Sequence, residues 1–133
     1  MPDFQPFVVT SDARDGSGLL HVSLSPHPEI HIHGEVLGSA CRPEWRVFDS
    51  AKALLDTVVY RPTGEARAIG FKLFHWHAVD AFVDVYEHLR QVKARVIHVQ
   101  RRNLLEKFVS LKLAEMTRVW FAYSEPTRER PTL

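Results

Sequence analysis

The stretch that decides the fold is TSDARDGSGLLHVSLSPHPEI, residues 10–30. A short apolar run, Phe7, Val8 and Val9, leads into it. The loop that follows carries one basic residue, Arg14, and two glycines, Gly16 and Gly18. An apolar helical pattern starts inside that loop and is stopped by Pro26 and Pro28. Strand, glycine loop and helix in this order form the layout of an anion-binding turn. The first backbone N–H groups of a helix are unpaired and lie at the positive end of its dipole, and glycine lets the backbone approach an oxyanion closely. The pattern G-x-x-x-x-G-K-[ST] is absent, which argues against a nucleoside kinase or other nucleotide triphosphatase.

Outward from this stretch, strands and helices alternate. Strands are expected over Phe7–Thr10, Ile30–His33 (ending at Gly34), Ala68–Phe74 and Arg95–Val99. Helices are expected over Gly16–Leu24, from Ser50 to about Tyr60, over Val79–Leu89 and over Asn103–Thr117. Asp49 is the expected N-cap of the second helix, with Ala51, Leu54, Leu55 and Val58 on its apolar face. Residues 38–48 read as loop, and RPTGE, 61–65, as a turn. The alternation predicts an α/β fold, a three-layer P-loop-like parallel sheet flanked by helices with right-handed crossovers. Ligands of such sheets gather at the carboxyl ends of strands. Three segments fall there: the loop after Thr10, Gly34–Glu35 and Arg101–Arg102.

The chain has 133 residues, which suits one domain, expected over 1–123 and followed by a polar, Pro-containing tail over 124–133. A net charge of +1 gives no global pull toward nucleic acid or membrane surfaces. The distribution is uneven: Arg90 to Arg118 holds eight Lys/Arg against two Glu, a candidate anion-binding region. Cys41 is the only cysteine, so no intrachain disulfide forms, and no leader or membrane-length apolar segment is seen. These features point to a cytoplasmic protein. Homo-oligomer formation is left open. His31 and His33 share a strand face and His27, His75 and His77 add more, but no Cys/His framework completes a metal site, so no metal is expected. Ser17 lies outside any G-x-S-x-G turn, which weighs against a serine hydrolase.

TSDARDGSGLLHVSLSPHPEIHIHGEVL resembles the opening of the sulfotransferases that use 3′-phosphoadenosine 5′-phosphosulfate, and is closest to the bacterial carbohydrate-type branch. That family opens with a strand, a loop close to T-x-x-R-S-G-S-T-L-L, a helix, S-H-P-x-I and H-G-E. The resemblance continues in AIGFKLFHW and in RVIHVQRRNLLEKFVSLKLAEMTRVW, which is similar to the family's 3′-phosphate segment. It covers roughly residues 6 to 120, with gaps.

The resemblance implies a sulfotransferase-like domain that moves a sulfuryl group from 3′-phosphoadenosine 5′-phosphosulfate to a hydroxyl acceptor, a carbohydrate or glycolipid. It places Arg14 where the family neutralises the leaving oxygen, Gly16, Ser17 and Gly18 in the 5′-phosphate loop, Glu35 on the general base, and Arg102 and Ser110 on the 3′-phosphate. Two loop positions depart from the pattern. Gly18 replaces a hydroxyl residue, and Asp15 brings a negative charge to the loop. Two unit charges 4 Å apart at a dielectric of about 20 repel by roughly 4 kcal/mol. With a C-terminus shorter than the family's, these departures give the alternative expectation, a truncated or degenerate phosphate- or nucleotide-binding module without turnover.

Overall fold

The computed structural model describes residues 3–38, 47–80 and 83–120. Strand β1 (Gln5–Ser11) is central and leads through the glycine loop into helix α1 (Ser17–Leu24). Strand β2 (Ile30–Ile32) follows, then α2 (Ala51–Leu54), which runs on as a wider π turn over Leu55–Val59. Next come β3 (Ala68–Phe74), α3 (His75–Asp80), α4 (Val85–Gln91), β4 (Arg95–His98) and α5 (Leu104–Thr117). All four strands are parallel, in the order β2-β3-β1-β4, so their carboxyl ends share one edge of the sheet.

Alternation along β1 divides the core. Val8 joins Ile69, Phe71, Leu73, Leu54, Leu55, Val59 and Leu89 on one face, where α2, its π turn and α4 pack. Phe7 and Val9 join Ile32, Leu20 and Leu24 on the other, under α1. Helices on both faces are what a parallel sheet requires, since both of its sides are apolar. Gly70 on β3 lies against Phe7, and a Cβ there would sit 2.5 Å from the Phe7 carbonyl oxygen. That contact lets β1 and β3 pair closely just below the site.

The elements differ from the sequence reading in two places. The cap of α2 is Ser50, whose hydroxyl accepts from Ala53 N–H at 3.1 Å, and not Asp49. Asp84, far along the chain, also accepts from the N–H groups of Ala51 and Lys52 at 3.0 and 3.2 Å. The expected helix over Val79–Leu89 divides into α3 and α4, because helix begins directly at His75 after β3 and begins again after Asp84. The expected loop over 38–48 lies mostly outside the described residues, as do Cys41 and the tail.

Helix α5 is held differently from the rest. Asn103 caps it by accepting from Glu106 N–H at 3.1 Å. Among its fourteen residues only Ala114 is buried, while Leu104, Leu105, Phe108, Val109, Leu113 and Met116 are exposed. Its described ties to the sheet's carboxyl edge are polar.

Candidate active site

The loop after β1 is shaped by backbone conformation. Arg14 and Gly16 both adopt left-handed φ, 65° and 98°. Gly16 does so at no steric cost, which explains the glycine at the mouth of α1. No side chain caps that helix and its first turn holds no acidic residue, so its leading N–H groups face the loop. Ser17, the first helical residue, is buried, and Gly18 follows it in the first turn. At the end of β1 the Ser11 hydroxyl is buried with no hydrogen-bond partner among the described residues.

Asp15 does not point at the loop's anion position unopposed. Its side chain is only 3% exposed and meets Lys107 Nζ of α5 at 2.9 Å. Its two oxygens also accept from the backbone N–H groups of Asp12 and Arg101, at 3.1 and 3.3 Å. Burial disfavours the charge, but the lysine and the two N–H groups outweigh it and hold the carboxyl below its ordinary value of 3.8. The repulsion expected from the sequence is therefore met by a cation inside the protein, and Asp15 instead knits the loop to β4 and α5. A depressed folded-state value means stabilisation that is present above about pH 4 and lost as pH falls through the lower, folded value. Asp15→Asn is expected to lower stability at pH 7 by about 1–3 kcal/mol, the range for a charge-assisted bond. The gap to the parent should close on acidification. Urea titrations at pH 7 and pH 3 check this, and a gap unchanged at pH 3 would refute the pairing.

Arg14 reaches α5 as well. Its Nε donates to Ser110 Oγ at 2.8 Å and its Nη1 to the Trp120 carbonyl at 2.6 Å. Ideal helix geometry puts Ser110 about 12 Å along the helix from residue 102. The fold brings Ser110 to the loop arginine instead. Arg102 is exposed and forms no hydrogen bond or ion pair among the described residues. Arg101 lies nearer the loop, with its guanidinium 3.5 Å from the Arg14 carbonyl oxygen and 3.6 Å from Glu106. Arg14, Gly16, Ser17, Gly18 and Ser110 thus gather at one end of the sheet, with Arg102 at its rim.

Glu35 stands just beyond β2. Its Oε1 accepts from Lys72 Nζ at 3.2 Å, with the lysine side chain 5% exposed and the carboxylate 27% exposed. The sequence reading missed Lys72. The signal was present in AIGFKLF: once both faces of β3 are buried, its one charged residue must be buried too and needs a partner. His21 on α1 lies near the same pair. Burial first and the Lys72 charge second depress its pKa, against an opposing pull from Glu35. His33 is held at about 4 by burial, then by His31 and His21, opposed by a backbone hydrogen bond to Val59. Both rings are therefore neutral at pH 7. Among the described residues no group of three or more His, Cys, Asp or Glu is placed to hold a metal, and no helix is long and apolar enough to cross a membrane.

Fold and site together define a parallel α/β protein whose candidate anion-binding loop lies at the carboxyl ends of its strands. Within that class, the chain is similar to Nodulation protein H of Rhizobium tropici, at 28% identity over 142 aligned positions that cover all of this chain and 55% of that protein. The chain spans about half the length of this curated relative. No family model and no solved structure matches it. The similarity supports a sulfotransferase-like relationship.

Proposed function

We propose that this protein is a cytoplasmic sulfotransferase whose single domain, residues 1–123, takes 3′-phosphoadenosine 5′-phosphosulfate as donor and a carbohydrate or glycolipid hydroxyl as acceptor. The observation that carries the reading is the lysine-held carboxylate of Glu35 on the same sheet edge as the uncapped, glycine-led N-terminus of α1. The loop amides and Arg14 bind the 5′-phosphate, and Ser17 adds a hydroxyl. Sulfuryl transfer forms a bond from the acceptor oxygen to sulfur and breaks the bond from sulfur to the bridging oxygen. The bond's electron pair stays on the phosphate, where Arg14 stabilises the developing charge. The acceptor's proton passes to the Glu35 carboxylate. Arg102 and Ser110 hold the 3′-phosphate. For this the Ser110 hydroxyl turns from Arg14 toward the nucleotide, and Arg102 folds in from the rim.

The test is calorimetry with two nucleotides that differ by one phosphate. Adenosine 3′,5′-bisphosphate is expected to bind more tightly than adenosine 5′-phosphate by about 1.5–3 kcal/mol, a charge-assisted contact from Arg102. Arg102→Ala should remove most of the difference. Equal affinities in the parent would remove the 3′-phosphate assignment. Binding of neither ligand would remove the donor assignment altogether.

A further inference from the structure

Lys72 is tied to the Glu35 segment twice. Its backbone N–H donates to the Gly34 carbonyl at 3.1 Å, and its Nζ to Glu35 Oε1 at 3.2 Å. One residue earlier on β2's side, His33 N–H donates to the Gly70 carbonyl at 2.8 Å, so the chain beyond β2 still runs along β3 where Glu35 leaves it. The register sets Lys72 opposite Val9, whose side chain belongs to the apolar cluster under α1. An ammonium in such a place is costly unless something holds it charged. It has Glu35 on one side and the ring of Phe74 on the other, 5.4 Å to the centroid.

The geometry points to Lys72 as the positioning residue of the acceptor-activating carboxylate, a role that rests on the sulfotransferase reading above. Lys72 engages one carboxylate oxygen and fixes the plane of the group, which leaves Oε2 for the acceptor hydroxyl. Strand β3 is flanked by strands on both sides, so this anchor is among the stiffest points the sheet can offer. A carboxylate on the segment beyond a three-residue strand would otherwise swing on its own side-chain torsions.

Three variants test this: Lys72→Met, Glu35→Gln and the double substitution, each assayed for sulfate transfer from 3′-phosphoadenosine 5′-phosphosulfate to a panel of soluble mono- and disaccharides. Lys72→Met should lower kcat by about 10²-fold, the cost of a misplaced reacting group, and change the donor KM by less than about twofold. Lys72→Arg should recover part of the loss, because it restores a cationic donor. The double variant should be no slower than Glu35→Gln alone, since a residue that acts through Glu35 has nothing left to position. A merely structural lysine would instead make the two losses multiply. That result, or parental kcat in Lys72→Met, overturns the proposal. Parental activity in Glu35→Gln is a separate outcome: it removes the base itself and with it the reading on which the proposal stands. If Lys72→Met shows no cooperative unfolding transition, Lys72→Gln takes its place with the same criteria.

Discussion

Glu35→Gln is expected to lower the rate of sulfate transfer by about 10²–10⁴-fold, the usual range for loss of a general base. Binding of adenosine 3′,5′-bisphosphate should stay within about twofold of the parent, because the proposed nucleotide site draws on the loop and α5 and not on the segment after β2. The amide keeps the shape of the side chain and still accepts a hydrogen bond from Lys72, but it cannot take the acceptor's proton. Stability should fall as well. The Lys72 ammonium keeps its buried position and loses the charge of Glu35, and breaking one side of a buried pair destabilises. That fall is moderated by the exposure of the carboxylate, which is 27% accessible. A carboxylate with a purely structural role would show the thermal effect without the kinetic one. Transfer rate, nucleotide affinity and thermal midpoint on one preparation therefore separate the roles. His33 is poorly placed to substitute: its Nε2 is buried and its ring is held at about 4.

Much of the fold was legible because local rules act locally here. Phe7, Val8 and Val9 are buried on both faces of a parallel sheet, and such strands read as continuous apolar runs. The helix after Gly16 and its stop before Pro26 and Pro28 depend on backbone chemistry within a few residues, as does the Asn103 cap of α5. The Ser50 cap is itself local, but other contacts the sequence did not announce depend on distant partners. Asp84 reaches back to cap α2, and nothing near residue 50 announces it. The π turn over Leu55–Val59 keeps Leu55 and Val59 buried and carries Tyr60 to the Phe7 carbonyl, a contact spanning fifty-three positions.

The sequence offered candidate residues for the site but none of their contacts. Arg14, Glu35 and Ser110 come from three segments that the parallel order brings to one edge. Their partners were hidden. Asp15 read as a charge that repels a phosphate, because its lysine sits ninety-two positions away on α5. Lys72 read as one residue in an apolar strand. Periodicity gave no reason to join Arg14 with Ser110, since a loop and a helix share no common period. For Asp15 and for Arg14 with Ser110 the missing fact was that α5 folds over the loop, and for Lys72 it was that the segment after β2 runs on along β3.

The second large effect is expected at Arg14. Its left-handed backbone makes most substitutions ambiguous, because a residue that dislikes φ of 65° would distort the loop by itself. Asparagine tolerates that region, so Arg14→Asn removes the guanidinium and spares the turn. Sulfate transfer should fall by about 10²–10³-fold, the loss seen when one preorganised donor to developing charge is removed. The donor KM should rise far less, since in the intact donor the charge that Arg14 meets grows only as the bond to sulfur breaks. Arg14→Lys should be intermediate: the charge returns, but a compact ammonium cannot reproduce the planar fork. The resting contacts make a competing account specific. Arg14 ties Ser110 and the Trp120 carbonyl to the loop, and α5 has little apolar packing to hold it otherwise. If tethering α5 were its whole purpose, Arg14→Asn would raise hydrogen exchange along α5 and weaken donor binding and the transfer rate by the same factor. A rate loss well beyond the affinity loss assigns Arg14 to the leaving oxygen. Equal losses assign it to the tether.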